Sequence, residues 1–316
     1  MTPPVLLFPG QGAQKVGMGA DIAANSPAAT AIYEQADEIL GFSLSKLCFE
    51  GPDETLTDTI NAQPALLITS IATLRAIEEK LGRPLEAGAA AGHSLGEYSA
   101  LVAAGAIDFP DALRLVRERG RLMKLAGEQA DGGMAAIIAL DTDKIEQICQ
   151  EASQQTGSSV GIANDNCPGQ VVISGDEAGL DAAMSAAKEA GARKVVRLAV
   201  SIAAHSSLMG AVEDEFAAAV DAATIRQPAY PVIANISARP LTTAEEIRDE
   251  LVGQLQSSVK WTGSMQRLIA DGYDNFIEIG PGGVLAGLMK RIDRRFRRIP
   301  SIGSWEDVEV IVSKLA

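Results

Sequence analysis

Apolar positions along the chain follow two rhythms. Short unbroken runs, such as VLLF at residues 5–8, stop at a turn signal, here PGQG, and read as buried strands. The same order of events recurs at AGAAAGH (residues 87–93) and at NFIEIG (residues 275–280), each followed by a segment whose apolar residues repeat with helical period. This alternation predicts an α/β fold with a mostly parallel sheet and helices on both faces, in which ligands collect at the carboxyl ends of the strands.

The middle of the chain has a different pattern. MAAIIAL (134–140), VGIAN (160–164), QVVIS (170–174) and RKVVRLAV (193–200) are strand-like, with helix-like segments after the first, where Asp141 is a plausible cap, and after the third. The order βαββαβ fits a small ferredoxin-like subdomain. We expect residues 131–200 to be an insertion, entered through GEQADGG (127–133), into a larger α/β hydrolase-like domain made of residues 1–130 and 201–316.

Composition narrows the function. The 316 residues are 47% hydrophobic, ample for a packed core, and no low-complexity tract interrupts them. A net charge of −14 argues against general affinity for nucleic acid, which needs clustered cations facing phosphates. Neither a signal peptide nor a membrane anchor is supported by the first residues. The three cysteines, Cys48, Cys149 and Cys167, lack metal or CxxC spacing and suit buried, reduced thiols, so a cytoplasmic location is expected.

Candidate chemistry begins with Gly92-His93-Ser94-Leu95-Gly96. A G-x-S-x-G between a strand and a helix is the pattern of a nucleophile elbow, and the free N–H groups at the helix start suit an oxyanion. The competing reading is an ordinary glycine-flanked loop. A serine nucleophile needs a base, and the chain has two histidines. His93 adjoins Ser94 and should leave the turn in another direction, which selects His205. The latter lies between a strand and SSLMGAVEDEFAAAV, where a helix N-terminus would keep the imidazole neutral. No acid is assigned to orient His205: Asp165 and Asp176 fall between Ser94 and His205 but within the expected insertion, and a backbone carbonyl serves equally well.

Helical phase exposes one further residue. In DALRLVRERGRLMKLAG, Ala112, Leu115, Val116, Leu122 and Met123 share a face, Arg114, Arg117, Arg121 and Lys124 point away, and Arg119 falls within the apolar face. A buried guanidinium needs a polar or anionic partner, which is either a structural ion pair or a substrate carboxylate. Other motifs lose weight on inspection. GQGAQKVG lacks the third glycine of a dinucleotide loop, GPGG at 280–283 lacks the lysine of a phosphate loop, and no paired metal ligands stand out.

Taken together, FPGQGAQ (8–14), NAQPALL (61–67), GHSLGEYSALVAAGA (92–106), VRERGRLM (116–123), ANDNCPGQVVISG (163–175), AAHSSLM (203–209) and EIGPGGVLAGL (278–288) resemble malonyl-CoA:acyl carrier protein transacylases nearly end to end. The resemblance implies a hydrolase-like domain, a ferredoxin-like one and an active site between them. It implies Ser94 as nucleophile, His205 as base oriented by a main-chain carbonyl, and an oxyanion hole from the N–H groups of Gln11 and Leu95. Arg119 would hold the malonyl carboxylate, with Gln63 supporting it and Gln254 lying beside His205. Cys167 stands where relatives often have serine, and IAAH before the base departs from the usual small residues; Leu95 suits malonyl over bulkier branched units.

The implied substrates are malonyl-CoA and phosphopantetheinylated acyl carrier protein; no cofactor, nucleic acid or membrane partner is expected, and a monomer suffices. An acidic carrier calls for a basic surface, for which KRIDRRFRR (290–298) is one candidate and Lys188, Arg193 and Lys194 a second. Three alternatives remain at this level: a serine thioesterase, a non-catalytic carrier-binding module, and the same transfer serving polyketide instead of fatty acid synthesis.

Overall fold

The computed structural model describes residues 3–199 and 202–315. Two sheets organise them. The first is formed by β1 (Val5–Phe8), β2 (Ala89–Gly92), β7 (Val232–Ile233), β8 (Pro240–Leu241), β9 (Phe276–Ile279) and β10 (Ser301–Ile302), which lie side by side in the order β10-β9-β1-β2-β7-β8. All neighbours are parallel except β8, which runs antiparallel to β7. VLLF is apolar at every position because both faces of β1 are buried, as helix-covered parallel strands require.

The longest helix, Thr59–Leu81, is buried without interruption from Ala62 to Leu74. A helix so enclosed carries apolar residues on all faces, here with Gln63, Thr69, Ser70 and Thr73 as buried polar exceptions. Pro64 sits inside it, and its missing N–H leaves the Ile60 carbonyl without the usual donor. Arg117 Nη1 donates to that oxygen at 2.7 Å and to Asn61 Oδ1 at 2.7 Å. The side chain that points off the apolar face of its own helix thus repairs the break in the next.

The second sheet comes from one continuous stretch. Strands β3 (Gly132–Ile138), β4 (Val160–Cys167), β5 (Gln170–Asp176) and β6 (Lys194–Arg197) pair antiparallel in the order β4-β5-β3-β6, with helices Thr142–Thr156 and Glu177–Glu189 in the expected places. Its core of Ala135, Ile137, Ile148, Val171, Ile173 and Leu180 is separate from that of the large sheet.

Several boundaries differ from the sequence reading. The Phe109–Gln129 helix runs into GEQADGG and β3 starts at Gly132, so the junction shrinks to Ala130 and Asp131. Asp141 occupies the N-cap position without making a side-chain cap bond. The last strand of the small sheet stops at Arg197, and its expected extension through Val200 lies outside the described residues together with Ser201. β4 continues through DNC by means of two register shifts, at Ile162/Asn164 and Asp165/Cys167. Such bulges re-aim side chains next to functional sites. Beside them, Asp165 N donates to Val259 O (2.9 Å), Val259 N to Ala163 O (2.8 Å) and Thr262 Oγ1 to Asp165 Oδ1 (2.9 Å), tying the small sheet to the large one. All three cysteines are buried free thiols.

Two glycines show why local sequence is constrained unevenly. A Cβ on Gly92 would lie 1.9 Å from the Gly96 carbonyl, whereas one on Gly287, exposed in the Val284–Ile292 helix, meets nothing within 4 Å. Gly92→Ala is expected to lower stability by ~1–3 kcal/mol or more through overpacking, and Gly287→Ala to raise it by ~0.5–1 kcal/mol through helix propensity. Urea denaturation of the two variants measures both; equal midpoints would contradict this account.

Candidate active site

The site forms where β1 and β2 end. Phe8 pairs with Gly92, so the loop after β1 lies against the turn after β2. Contact is close: a Cβ on Gly10 would sit 2.3 Å from the His93 carbonyl, and one on Gly96 2.1 Å from that of Phe8. Close approach, more than backbone freedom, is what the flanking glycines provide. The unusual dihedral belongs to Ser94 itself, at φ 50°, a left-handed conformation that costs a non-glycine residue roughly 1–2 kcal/mol.

Neighbouring groups hold that backbone in place. Ser94 N donates to Asn235 Oδ1 (2.7 Å), Asn235 Nδ2 donates to Gly92 O (2.8 Å), and Glu97 N and Gln254 Nε2 both donate to Ser94 O (3.1 and 3.2 Å). The Ser94 hydroxyl then faces His205, with Oγ 2.8 Å from Nε2. His205 is also left-handed, at φ 59°, and its N–H is fixed on Leu255 O at 3.0 Å. Its Nδ1 lies 2.9 Å from Gln254 O and 3.0 Å from Ser257 O. Carbonyls only accept, so Nδ1 carries the proton and Nε2 presents a lone pair to the serine.

Two carbonyls therefore orient His205, and neither aspartate does. Asp165 is engaged with Thr262, and Asp176 accepts from Ser159 N. The imidazole pKa is pushed down to about 3, first by burial and then by the Arg119 charge. Neutrality was expected, but from a helix N-terminus. The chain after His205 instead forms a 3-10 turn, Ser207–Val212, capped by Ser206, with the α-helix beginning only at Glu213. His93 turns away as anticipated: Nε2 meets Asn166 Oδ1 at 2.7 Å and the ring lies 5.6 Å from that of Trp261.

Arg119 is 1% exposed. Its Nη1 donates to Gln63 Oε1 (2.7 Å), and its Nη2 to Gln254 Oε1 (2.9 Å) and Ser94 Oγ (3.1 Å). These acceptors are amide oxygens and a hydroxyl, so the ion-pair reading is not what the structure shows. Arg119 Nε is buried without a hydrogen-bond partner, so this cation is held only at Nη1 and Nη2, by neutral dipoles, and no carboxylate bonds to it. Gln63 is itself held, donating to Thr59 Oγ1 at 3.0 Å, and Thr59 Oγ1 donates to Gln11 Oε1 at 3.0 Å.

Ser94, His205 and Arg119 open onto a cavity of about 370 Å³ between the two sheets. Gln11 and Leu95 border it beside the serine, while Met123, Met134, Leu198 and Ile202 form an apolar wall. Leu95 precedes the Gly96–Ala103 helix, whose first N–H groups are taken up by the turn before it, Gly96 N donating to His93 O (2.9 Å), Glu97 N to Ser94 O (3.1 Å) and Tyr98 N to Leu95 O (3.0 Å). Among the described residues, no group of three or more His, Cys, Asp or Glu is placed to hold a metal, and no helix is long and apolar enough to cross a membrane.

The basic segment at 290–298 lies elsewhere. Arg295, Arg297 and Arg298 gather around Asp274 and Phe276, at the amino end of β9 and so at the opposite end of the sheet from Ser94. Arg291 donates to Gln170 Oε1 (2.7 Å) and to the Pro168 and Gly169 carbonyls, joining the β4–β5 turn to the Val284–Ile292 helix.

Sequence reasoning missed Asn235, Asn166, Ser257 and Glu97. The first three act through long-range bonds, several in the case of Asn235, that leave no local pattern. Glu97 had a signal, a lone charge in the apolar helix GEYSALVA, of the same kind that exposed Arg119.

Burial depresses His93 as well as His205. Imidazole ¹⁵N NMR of the folded protein should therefore show His205 neutral down to about pH 5 and the His93 inflection displaced below the ordinary value of 6.5. Because the folded values lie below the unfolded ones, this contribution to stability is complete above pH 6.5 and is lost as pH falls toward 3. A titration curve centred between pH 6 and 7 for His205 would overturn the assignment.

Comparison with known proteins agrees with this geometry. The family model described as acyl transferase domain matches residues 5–306. The malonyl CoA-acyl carrier protein transacylase of Bacillus subtilis is 45% identical over 98% of this chain and 96% of its own length, and that of Staphylococcus aureus 42% over 98% of each. Among solved structures, the malonyl CoA-acyl carrier protein transacylase of Coxiella burnetii superposes with a TM-score of 0.94 at 38% identity, covering 100% of this chain and 98% of that one. A malonyl-transacylase solved in complex with a type II PKS acyl-carrier protein superposes at 0.93 with 39% identity, over 99% and 100%. With a strand-borne serine, a carbonyl-oriented histidine and a buried arginine in one cavity, and with relatives this similar along its whole length, the chain belongs to the acyl transferase family, among the malonyl CoA-acyl carrier protein transacylases.

Proposed function

We propose that this protein transfers the malonyl group from malonyl-CoA to the phosphopantetheine thiol of acyl carrier protein through a malonyl-Ser94 intermediate, in the cytoplasm and in the service of fatty acid synthesis. The observation that carries the reading is Ser94 Oγ standing 2.8 Å from His205 Nε2 and 3.1 Å from Arg119 Nη2 in one cavity. All the required groups belong to the chain, so the reading calls for no cofactor. On this reading residues 131–200 are the inserted subdomain that closes the cavity from above.

In the first half-reaction Ser94 Oγ attacks the thioester carbonyl while its proton passes to His205 Nε2. The carbonyl oxygen gains charge beside the N–H groups of Gln11 and Leu95, and collapse expels CoA as a thiolate that takes the proton back from His205. In the second half the carrier thiol gives its proton to His205 and attacks the malonyl ester; Ser94 leaves and is reprotonated. Arg119 binds the malonyl carboxylate in place of the serine hydroxyl. That carboxylate also offsets the positive charge that depresses His205, so the base strengthens when the intended substrate is in place.

Intact mass after brief incubation with malonyl-CoA tests the proposal. We expect an adduct that is absent in Ser94→Ala and moves to added holo carrier protein. An adduct lost to water in the presence of carrier favours a thioesterase, and its absence from folded protein overturns the reading. Arg119→Ala is expected to reduce kcat/KM for malonyl-CoA by about 10- to 150-fold, the equivalent of ~1.5–3 kcal/mol for charge-assisted bonds, and to reduce it less for acetyl-CoA.

A further inference from the structure

Glu97 is fully buried in a helix otherwise made of apolar and small residues. Both of its oxygens act as acceptors: Oε1 from Asn235 N (3.1 Å) and Oε2 from Gln254 Nε2. Neither donor can accept in return, so the polarity of these bonds is fixed. A primary amide has one accepting and one donating end. With Nε2 committed to Glu97 and to Ser94 O, the Gln254 oxygen has to point at Arg119, where it accepts from Nη2 at 2.9 Å. The opposite orientation would turn an NH₂ group toward a guanidinium that has only donors. Asn235, whose N–H rests on Glu97, also holds Ser94 N.

From this chain of bonds we propose that Glu97 is a positioning residue for substrate choice: it locks the Gln254 amide with its oxygen toward Arg119, and so keeps the guanidinium where a substrate carboxylate meets it. The inference rests on the proposed function, in which Arg119 is the carboxylate's binding partner. It adds that the partner's placement is decided two bonds away, by a side chain that touches no substrate. The neighbouring buried carboxyl, Glu250, has a different task, accepting from Ile236 N at 2.9 Å.

Glu97→Gln tests the lock with almost no change in volume. The substituted amide offers one acceptor to two fixed donors. If it keeps the backbone bond to Asn235, it turns an NH₂ toward Gln254, whose amide then flips and presents its own NH₂ to Arg119. The ratio of kcat/KM for malonyl-CoA to that for acetyl-CoA is expected to fall about 10-fold, the worth of one charge-assisted hydrogen bond, with the change appearing in KM for malonyl-CoA before kcat. Glu97→Asp keeps the carboxyl group but withdraws it by one methylene, and should lower the same ratio by a smaller factor. A folded Asp variant with the wild-type ratio overturns the inference even where the Gln variant does not fold. Arg119→Ala, run alongside, separates the two claims. If it leaves the malonyl preference intact, the reading of Arg119 and this inference fall together. If it removes the preference while both Glu97 variants retain it, only the inference falls.

Discussion

A guanidinium buried without a carboxylate against it is the constraint on which the rest of this site depends. Removing such a charge from water is costly, the more so for each donor left unpaired, and Arg119 Nε is buried without a partner. Two glutamine side chains and the serine hydroxyl satisfy Nη1 and Nη2. The glutamines must then be oriented themselves, which draws in Thr59 on one side and Glu97 on the other. The same charge explains how the histidine is held. A carboxylate on His205 Nδ1 would bring a negative charge close to Arg119 and weaken its call for an external anion. The carbonyls of Gln254 and Ser257 fix the tautomer while leaving that need unmet.

The fold supplies the rigidity this arrangement requires. Gly92 and Gly96 are glycines because a Cβ on the first would lie 1.9 Å from the Gly96 carbonyl and one on the second 2.1 Å from that of Phe8. Larger side chains there would push apart the turn and the loop after β1. On the opposite wall, the bulges in β4 bring Asn164 to the cavity and Asn166 to His93, and the bonds between Asp165, Val259 and Thr262 hold that wall against the large sheet.

Much of this was legible in the sequence for reasons that differ by residue. Ser94 was marked by its glycines and His205 by scarcity. Arg119 was marked by helical phase, since a charge on an apolar face is visible without knowing what it touches. The order of strands and helices in residues 132–197 followed from periodicity alone. Gln11, Leu95, Gln63 and Gln254 were reached only by resemblance, because an amide's value lies in the partner it meets across tens of residues. The cause of the neutral His205 was misplaced for a related reason: burial and a neighbouring charge are tertiary facts, whereas a helix start is a local one. Asn235 and Ser257 left no trace, since every bond they contribute to the site has its other end far away in the chain.

The bond between Arg119 and Ser94 has one further meaning. The serine hydroxyl is itself a ligand of the guanidinium, so under the proposed function the reactive oxygen and the recognition group occupy each other. On that proposal an arriving carboxylate would displace the hydroxyl from the guanidinium and free a lone pair at the moment it is needed. An acyl group without a carboxylate offers nothing in exchange. Discrimination thus begins as a competition for one N–H, before any bond to carbon is made.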